Sequence, residues 1–224
     1  MNPAIKTEIT KRLLSAEGNP ISGQQLADEF QVSRTAIWKH IKELEQDGFI
    51  IETIKKKGYI LQSSPDTLQK EQIEQYLTSN RFGHPIHYFE ECPSTQPIAH
   101  KLAQENAADG TIVICEEQTA GKGRLSRVWK SSKGKGIWMS VIIRPDIPPI
   151  KAPQFTLIAA VAVTRAIEDV ANVRAEIKWP NDLLINGKKC TGILTELQAD
   201  IDRVQAIILG IGVNVNQDME DFPE

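Results

Sequence analysis

The segment Gln118-Thr-Ala-Gly121-Lys122-Gly123-Arg124-Leu-Ser-Arg127-Val-Trp129 holds the densest chemistry in the sequence. Two glycines separated by one cation let a backbone approach a ligand closely, and the flanking cations and hydroxyls offer donors to a phosphate or carboxylate. The spacing is neither that of a Walker P-loop nor that of a dinucleotide fingerprint. Trp129 is placed to stack on a base or to cover a ligand. Taken alone, the same residues also describe a flexible surface turn. A second segment, Lys178-Trp179-Pro180-Asn181-Asp182, sets Lys178 and Asp182 at strand ends, where loops carry function. A buried Trp beside a fixed Pro and two turn-forming Asx residues would also make a rigid connection. A third, Lys188-Lys189-Cys190-Thr191-Gly192, puts a cation on a strand ahead of a glycine, so a ligand could lie against that backbone. A strand lysine facing water is the plainer alternative.

Strands and helices must hold these segments. Apolar, β-branched runs predict strands at 86–89, 111–115, 136–143, 177–179, 183–185, 188–198 and 203–210. Helical spacing predicts helices over 67–76, 95–107 and 155–170, the last long and mostly buried, with Pro97 in the first turn of the second. Asn186-Gly187 between two strands calls for a type I′ turn. The pattern is α+β, with a mixed or antiparallel sheet and helices packed on it.

Residues 1–61 read separately. Ile5, Ile9, Leu13 and Leu14 keep helical spacing until Gly18-Asn19-Pro20. Ser22 then caps a helix carrying Leu26, Ala27 and Phe30, and Ser33 caps a third through Ile37, Ile41 and Leu44. Two short helices on a tight turn, followed by β-like segments at 49–53 and 58–61 around Lys55-Lys56-Lys57, make a winged helix-turn-helix pattern. The third helix offers Arg34, Thr35, Trp38 and Lys39 where a recognition helix meets base edges, and Lys55, Lys56 and Lys57 would neutralise phosphates. Gly23, Ser33 and Lys42 complete the DNA-facing candidates. A plain three-helix scaffold and a protein-docking winged helix are the alternatives; the basic hairpin tip favours DNA, bound as a dimer on a two-fold operator. Gln62-Ser-Ser-Pro-Asp66 reads as a linker, giving domains at 1–61 and 67–224 joined by 62–66.

Composition narrows the classes. With 224 residues, 41% hydrophobic and 25% charged, the chain is not disordered, collagen-like or fibrous. A net charge of −3 excludes wholesale coating of nucleic acid, so DNA contact must be local. Cys92, Cys115 and Cys190 form no CxxC pair and no His is spaced for zinc, so inert thiols in a reducing cytosol and no metal site are expected. The N-terminus lacks the apolar block of a signal peptide, and the longest apolar run, Leu157 to Val163, is far short of the roughly 20 residues of a span. A soluble, cytoplasmic protein without membrane contact is the expectation.

Ser94-Thr95-Gln96, the Gln-Thr-Ala-Gly-Lys-Gly-Arg loop with its following Trp, Lys-Trp-Pro-Asn-Asp, Lys-x-x-Gly-Ile-Leu-x-Glu over 189–196 and Gly210-Ile-Gly-Val-Asn214-Val-Asn occur in that order. Together they resemble the signatures of biotin protein ligases. With a winged helix in front, the chain resembles the family's bifunctional bacterial form, both ligase and biotin-operon repressor, from Ser22 to Asn216. The resemblance implies two half-reactions. Biotin and MgATP give biotinyl-5′-adenylate and pyrophosphate; the ε-amine of a lysine on a biotin carboxyl carrier protein, of acetyl-CoA carboxylase, then attacks the mixed anhydride.

By the same resemblance Lys189 would bridge the biotin carboxylate and the α-phosphate, with Arg124 assisting from the loop. Ser94, Thr95, Gln96 and Gln118 would hold the ureido end and tail of biotin, and Lys122, Gly123, Arg124, Lys189 and Gly192 would complete its site. Trp129 would pack on adenine, with Gly121, Arg127, Lys178, Asn181 and Asn214 around the nucleotide. Adenylate would order the loop and complete a homodimer that binds the biotin-operon operator. Two features depart from the family. Lys122 stands where arginine is common, and Leu125-Ser126 where Arg-Gly often stands, so a point charge replaces the forked guanidinium. Family members also continue into further helices and a small β-domain, so the catalytic domain is expected to be incomplete beyond a polar loop over 221–224. A non-enzymatic, biotin- or adenylate-sensing DNA-binding regulator and a lipoate-attaching enzyme are the competing functions.

Overall fold

A computed structural model describes residues 3–221. By its internal contacts the chain divides into two compact units, Met1–Leu77 and Thr78–Glu224. The first holds helices α1 (Pro3–Leu14), α2 (Gly23–Glu29) and α3 (Arg34–Gln46), then a hairpin of β1 (Ile50–Ile54) and β2 (Gly58–Ser63). Both expected caps form: Ser22 Oγ accepts from the Gln24 amide at 3.2 Å, and Ser33 Oγ from the Ala36 amide at 3.1 Å. Ile9, Leu13, Leu26, Ile37, Ile41 and Leu44 make the core, to which the hairpin adds Ile51 and Tyr59. Tyr59 and Ile21 exchange backbone hydrogen bonds of 2.9 Å, pinning the wing to the segment ahead of α2. Only glycine fits at position 58, whose φ is +119° and where a Cβ would lie 2.0 Å from the Ile21 carbonyl oxygen.

Helix α4 (Lys70–Glu74) is shorter than the 67–76 expected and belongs to this first unit. The cause is polar: Thr7 donates to Glu71 at 2.9 Å and Lys11 pairs with Glu74 at 3.0 Å. The division therefore falls after the anticipated linker at 62–66, whose first two residues continue β2.

The second unit is built on a seven-stranded sheet in the order β3-β4-β5-β9-β8-β7-β6. Its strands are β3 (Ile86–Cys92), β4 (Ile112–Gln118), β5 (Gly136–Ile143), β6 (Glu176–Lys178), β7 (Asp182–Ile185), β8 (Lys188–Ala199) and β9 (Val204–Asn214). β3 and β4 run parallel and the other pairs antiparallel, so the sheet is mixed. Helices α5 (Thr95–Gln104) and α6 (Gln154–Ala171) cover opposite faces, which is why β5 and β9 are apolar along most of their length. Ile142, Ala206 and Ile208 pack with Ala99 and Ala103 of α5; Val141, Ile143, Leu209 and Ile211 pack with Ala159 and Ala160 of α6. The Asn186-Gly187 turn has φ of 50° and 76°, as a type I′ hairpin requires.

Helix α6 corrects one expectation. Only Ala159 and Ala160 are buried in it, while Leu157, Ile158 and Val161 are exposed. A 3.6-residue period turns one stripe to the sheet, and the remaining apolar residues face outward. Trp179, expected to be buried, is 76% exposed. All three cysteines are buried and free. Of the polar loop expected over 221–224, only Asp221 lies within the described residues.

Candidate functional site

On the α5 face, the neighbouring strands β5 and β9 pass from Ile142 and Ile208 to the pairs Ser140–Gly210 and Trp138–Gly212. Where side chains give way to glycine the face opens into a cleft. Ser94, Thr95, Gln96, Gln118, Lys122, Gly123, Arg124, Lys189 and Gly192 all line it, so every residue expected around biotin is brought together. Ser94, Thr95 and Gln96 are buried at the start of α5. Gln118 Oε1 accepts from the Thr95 amide at 2.9 Å while its Nε2 donates to Ser131 Oγ at 2.8 Å.

The glycine loop is a small hairpin. Lys122 bridges Val128, the Gly123 amide donates to the Arg127 carbonyl at 2.8 Å, and the Trp129 amide donates to the Gly121 carbonyl at 2.9 Å. Its tip, Leu125-Ser126, takes φ of 54° and 58°. Arg124 reaches out of it to donate to Asn181 Oδ1 at 2.8 Å, joining the loop to the Lys-Trp-Pro-Asn-Asp segment.

Lys189 and Gly192 share the cleft although they are an odd number of residues apart on β8. An extra residue, Cys190, bulges out of the pairing: Leu183 faces Thr191, yet Leu184 faces Lys189. The bulge reverses the alternation and turns the lysine inward. Lys189 Nζ sits 2.7 Å from Asp182 and 5.1 Å from the centre of the Trp129 ring.

A second chamber adjoins the first across Gly123, Arg124, Trp129, Asn181 and Lys189, which line both. Arg127 and Asn214, expected around the nucleotide, line it too. Trp129 is bedded on glycine: a Cβ at Gly212 would lie 2.5 Å from the indole Nε1, and one at Gly192 2.7 Å from the ring. Three buried polar atoms here, Trp129 Nε1, Asn214 Oδ1 and Gln217 Oε1, have no hydrogen-bond partner. Asp221 also lines the chamber; the Asp218 amide, donating at 2.9 Å, and then Lys135 and Lys130 hold its carboxyl below the usual range.

Gly121 and Lys178 line neither chamber. Gly121 is consumed by the loop itself, since a Cβ there would lie 2.3 Å from the Trp129 carbonyl oxygen. Lys178 is exposed on the edge strand β6, paired across the hairpin with Asp182. Asp182, singled out in the sequence only as a strand-end residue, lines the second chamber, and Gly210, quoted only within a motif, lines the first; sequence reasoning missed Gln217 in the second. It also missed Ser140, a hydroxyl inside an apolar strand and bonded to both Thr95 and Gln96, at 2.8 and 2.7 Å. That lone polar residue in the run 136–143 was the available signal.

In the first unit, Arg34, Thr35, Trp38, Lys39 and Lys42 are exposed along α3, away from buried Ile37, Ile41 and Leu44, and Lys55, Lys56 and Lys57 are exposed at the wing tip. Two other candidates have structural work instead. Ser33 spends its hydroxyl on the α3 cap, and a Cβ at Gly23 would meet the Tyr59 ring at 3.2 Å.

Residues 88–214 match the biotin/lipoate A/B protein ligase family and residues 6–60 an HTH domain. The chain is 52% identical over 213 residues to the bifunctional ligase/repressor BirA of Bacillus subtilis (strain 168), which covers 95% of this chain and 66% of that protein. It is 30% identical over 203 residues to BirA of Escherichia coli (strain K12), covering 90% and 61%. Among solved structures, biotin protein ligase from Aquifex aeolicus in complex with biotin and ATP is 34% identical with a TM-score of 0.51, over 62% of this chain and 55% of that one. Biotin protein ligase from Leishmania major in complex with biotin is 30% identical with a TM-score of 0.51, over 62% and 60%. The chain spans about two thirds of the length of the curated relatives it matches.

Proposed function

Because the chain belongs to the biotin/lipoate A/B protein ligase family, we propose that its second unit is an ATP-dependent biotin protein ligase and its first a DNA-binding module, together a biotin-responsive repressor. One observation carries the enzyme reading: the two chambers meet at Arg124, Lys189 and Trp129. A biotin carboxylate in the first and an ATP α-phosphate in the second converge on that wall. The two anions repel until cations neutralise them, so fixed positive groups at the junction lower the barrier where negative charge concentrates. Lys189, steadied by Asp182, and Arg124, steadied by Asn181, are those groups.

A carboxylate oxygen of biotin attacks the α-phosphorus and pyrophosphate departs. The neutral amine of an acceptor lysine then attacks the acyl carbon of biotinyl-5′-adenylate, AMP leaves, and the amine's proton passes to solvent. No covalent enzyme intermediate is required. Biotin is favoured over lipoate because Thr95, Gln96 and Gln118, backed by Ser140, form a polar wall that suits a cyclic urea, and a dithiolane would leave such groups unmatched. The Mg²⁺ of MgATP would screen the triphosphate.

The acceptor is a biotin carboxyl carrier protein and the DNA is the biotin-operon operator, contacted by the exposed face of α3 and by Lys55, Lys56 and Lys57. The adenylate-bound protein acts as a cytoplasmic homodimer. The test is biotin-dependent pyrophosphate release with MgATP. Wild type releases it, and Lys189→Ala and Arg124→Ala lower the rate by at least about 100-fold. Biotin binding without pyrophosphate release by the wild type would replace the ligase with a sensing regulator.

A further inference from the structure

We infer that Glu196, outside the cleft, fixes the hydrogen-bond polarity of the biotin end of the site by orienting Gln96. This rests on the biotin reading above. Glu196 is half-exposed on β8, its Cα opposite Ile208, and it lines neither chamber. Its carboxylate can only accept. Oε2 takes one hydrogen bond from Gln96 Nε2 at 3.0 Å and a second from His100 Nε2 at 2.9 Å. The imidazole donates there because its other nitrogen, Nδ1, accepts from Gln198 Nε2 at 3.1 Å, an amide nitrogen that also holds the His100 carbonyl at 2.8 Å.

The direction then propagates inward. With its amide nitrogen on Glu196, Gln96 turns its carbonyl to Ser140, and Ser140 Oγ donates to it at 2.7 Å. A hydroxyl has one proton, so Ser140 must accept from Thr95 Oγ1 at 2.8 Å. Of the two acceptors within reach of the Thr95 hydroxyl, Ser140 Oγ at 2.8 Å and Gln118 Oε1 at 3.3 Å, the nearer takes its proton, which leaves a Thr95 lone pair for the cleft. Gln118 presents Oε1 beside it, because its Nε2 is held by Ser131 at 2.8 Å. Two neighbouring acceptors match the two N–H groups of a cyclic urea. Flipping the Gln96 amide would reverse every step, so that the Thr95 proton would turn to Gln118 Oε1, 3.3 Å away, and the pair would no longer offer two open acceptors. Glu196 forbids the flip, since the Gln96 carbonyl would then face a carboxylate oxygen with no proton between them. Gly210 makes room for the arrangement: a Cβ there would lie 2.9 Å from Gln96 Oε1.

Glu196 is thus a positioning residue, and its signature is selectivity for urea N–H groups. The experiment measures dissociation constants of the full chain, by calorimetry, for biotin and for an analogue with one ureido N–H replaced by CH₂. Wild type favours biotin by about tenfold or more. In Glu196→Ala the preference falls to within about threefold, while ATP affinity stays within about twofold. Glu196→Gln keeps the preference, because its carbonyl still accepts from Gln96. Ser140→Ala removes one buried oxygen, cuts the chain in the middle and shows the same loss, which decides the matter should Glu196→Ala fail to fold. Full preference retained in Glu196→Ala or Ser140→Ala overturns the inference, as does a wild type that binds biotin and analogue alike. A wild type that binds no biotin sinks the biotin reading itself.

Discussion

In the first chamber the polar side chains hold one another: Gln118 bridges the Thr95 amide and Ser131, while Ser140 joins Thr95 to Gln96. In the second, Trp129 Nε1, Asn214 Oδ1 and Gln217 Oε1 are buried and unpartnered. One pocket is finished before any ligand arrives, and the other waits for hydrogen bonds that a ligand must supply. Burying an unsatisfied polar atom costs on the order of 1–3 kcal/mol, so these atoms are where a ligand in the second chamber would bond. On the ligase reading, biotin would meet a preorganised site and the nucleotide would complete its own.

The strongest way to break that contrast is to unseat Trp129. Gly212→Ala places a methyl 2.5 Å from the indole nitrogen and forces the ring off its bed. Adenylate formation should fall about 100-fold, whereas binding of biotin alone, read by calorimetry, should change by no more than about threefold. Equal losses in both would mean that the chambers are one unit.

How much of this was legible beforehand depends on distance along the chain. Ser22 and Ser33 caps, the Asn186-Gly187 turn and the run of motifs are local, and each forms as read. The polar chain through Thr95, Ser140, Gln96 and Glu196 was invisible because its members meet only across the folded sheet. Period-two alternation would set Lys189 and Gly192 on opposite faces, and only the bulge at Cys190 brings them together. Helix α6 misled for the reverse reason: its stretch 157–163 is apolar on all sides, yet the sheet takes only one stripe.

The sharpest form of the comparison makes one chemical change in both chambers. Gln118→Met removes an amide whose two ends are both engaged, stranding the Thr95 amide, and should lower the unfolding free energy by about 2 kcal/mol in urea titrations. Gln217→Met has the same shape and the same lost amide, but the buried Oε1 it removes has no partner. Its stability should stay within about 0.5 kcal/mol of wild type, or rise, because deleting an unsatisfied acceptor relieves a desolvation cost. The price should surface only with ligand present, as an ATP affinity weaker by about threefold or more. A Gln217→Met protein as destabilised as Gln118→Met would mean that the second chamber is already satisfied, and the distinction between a finished pocket and a waiting one would fall.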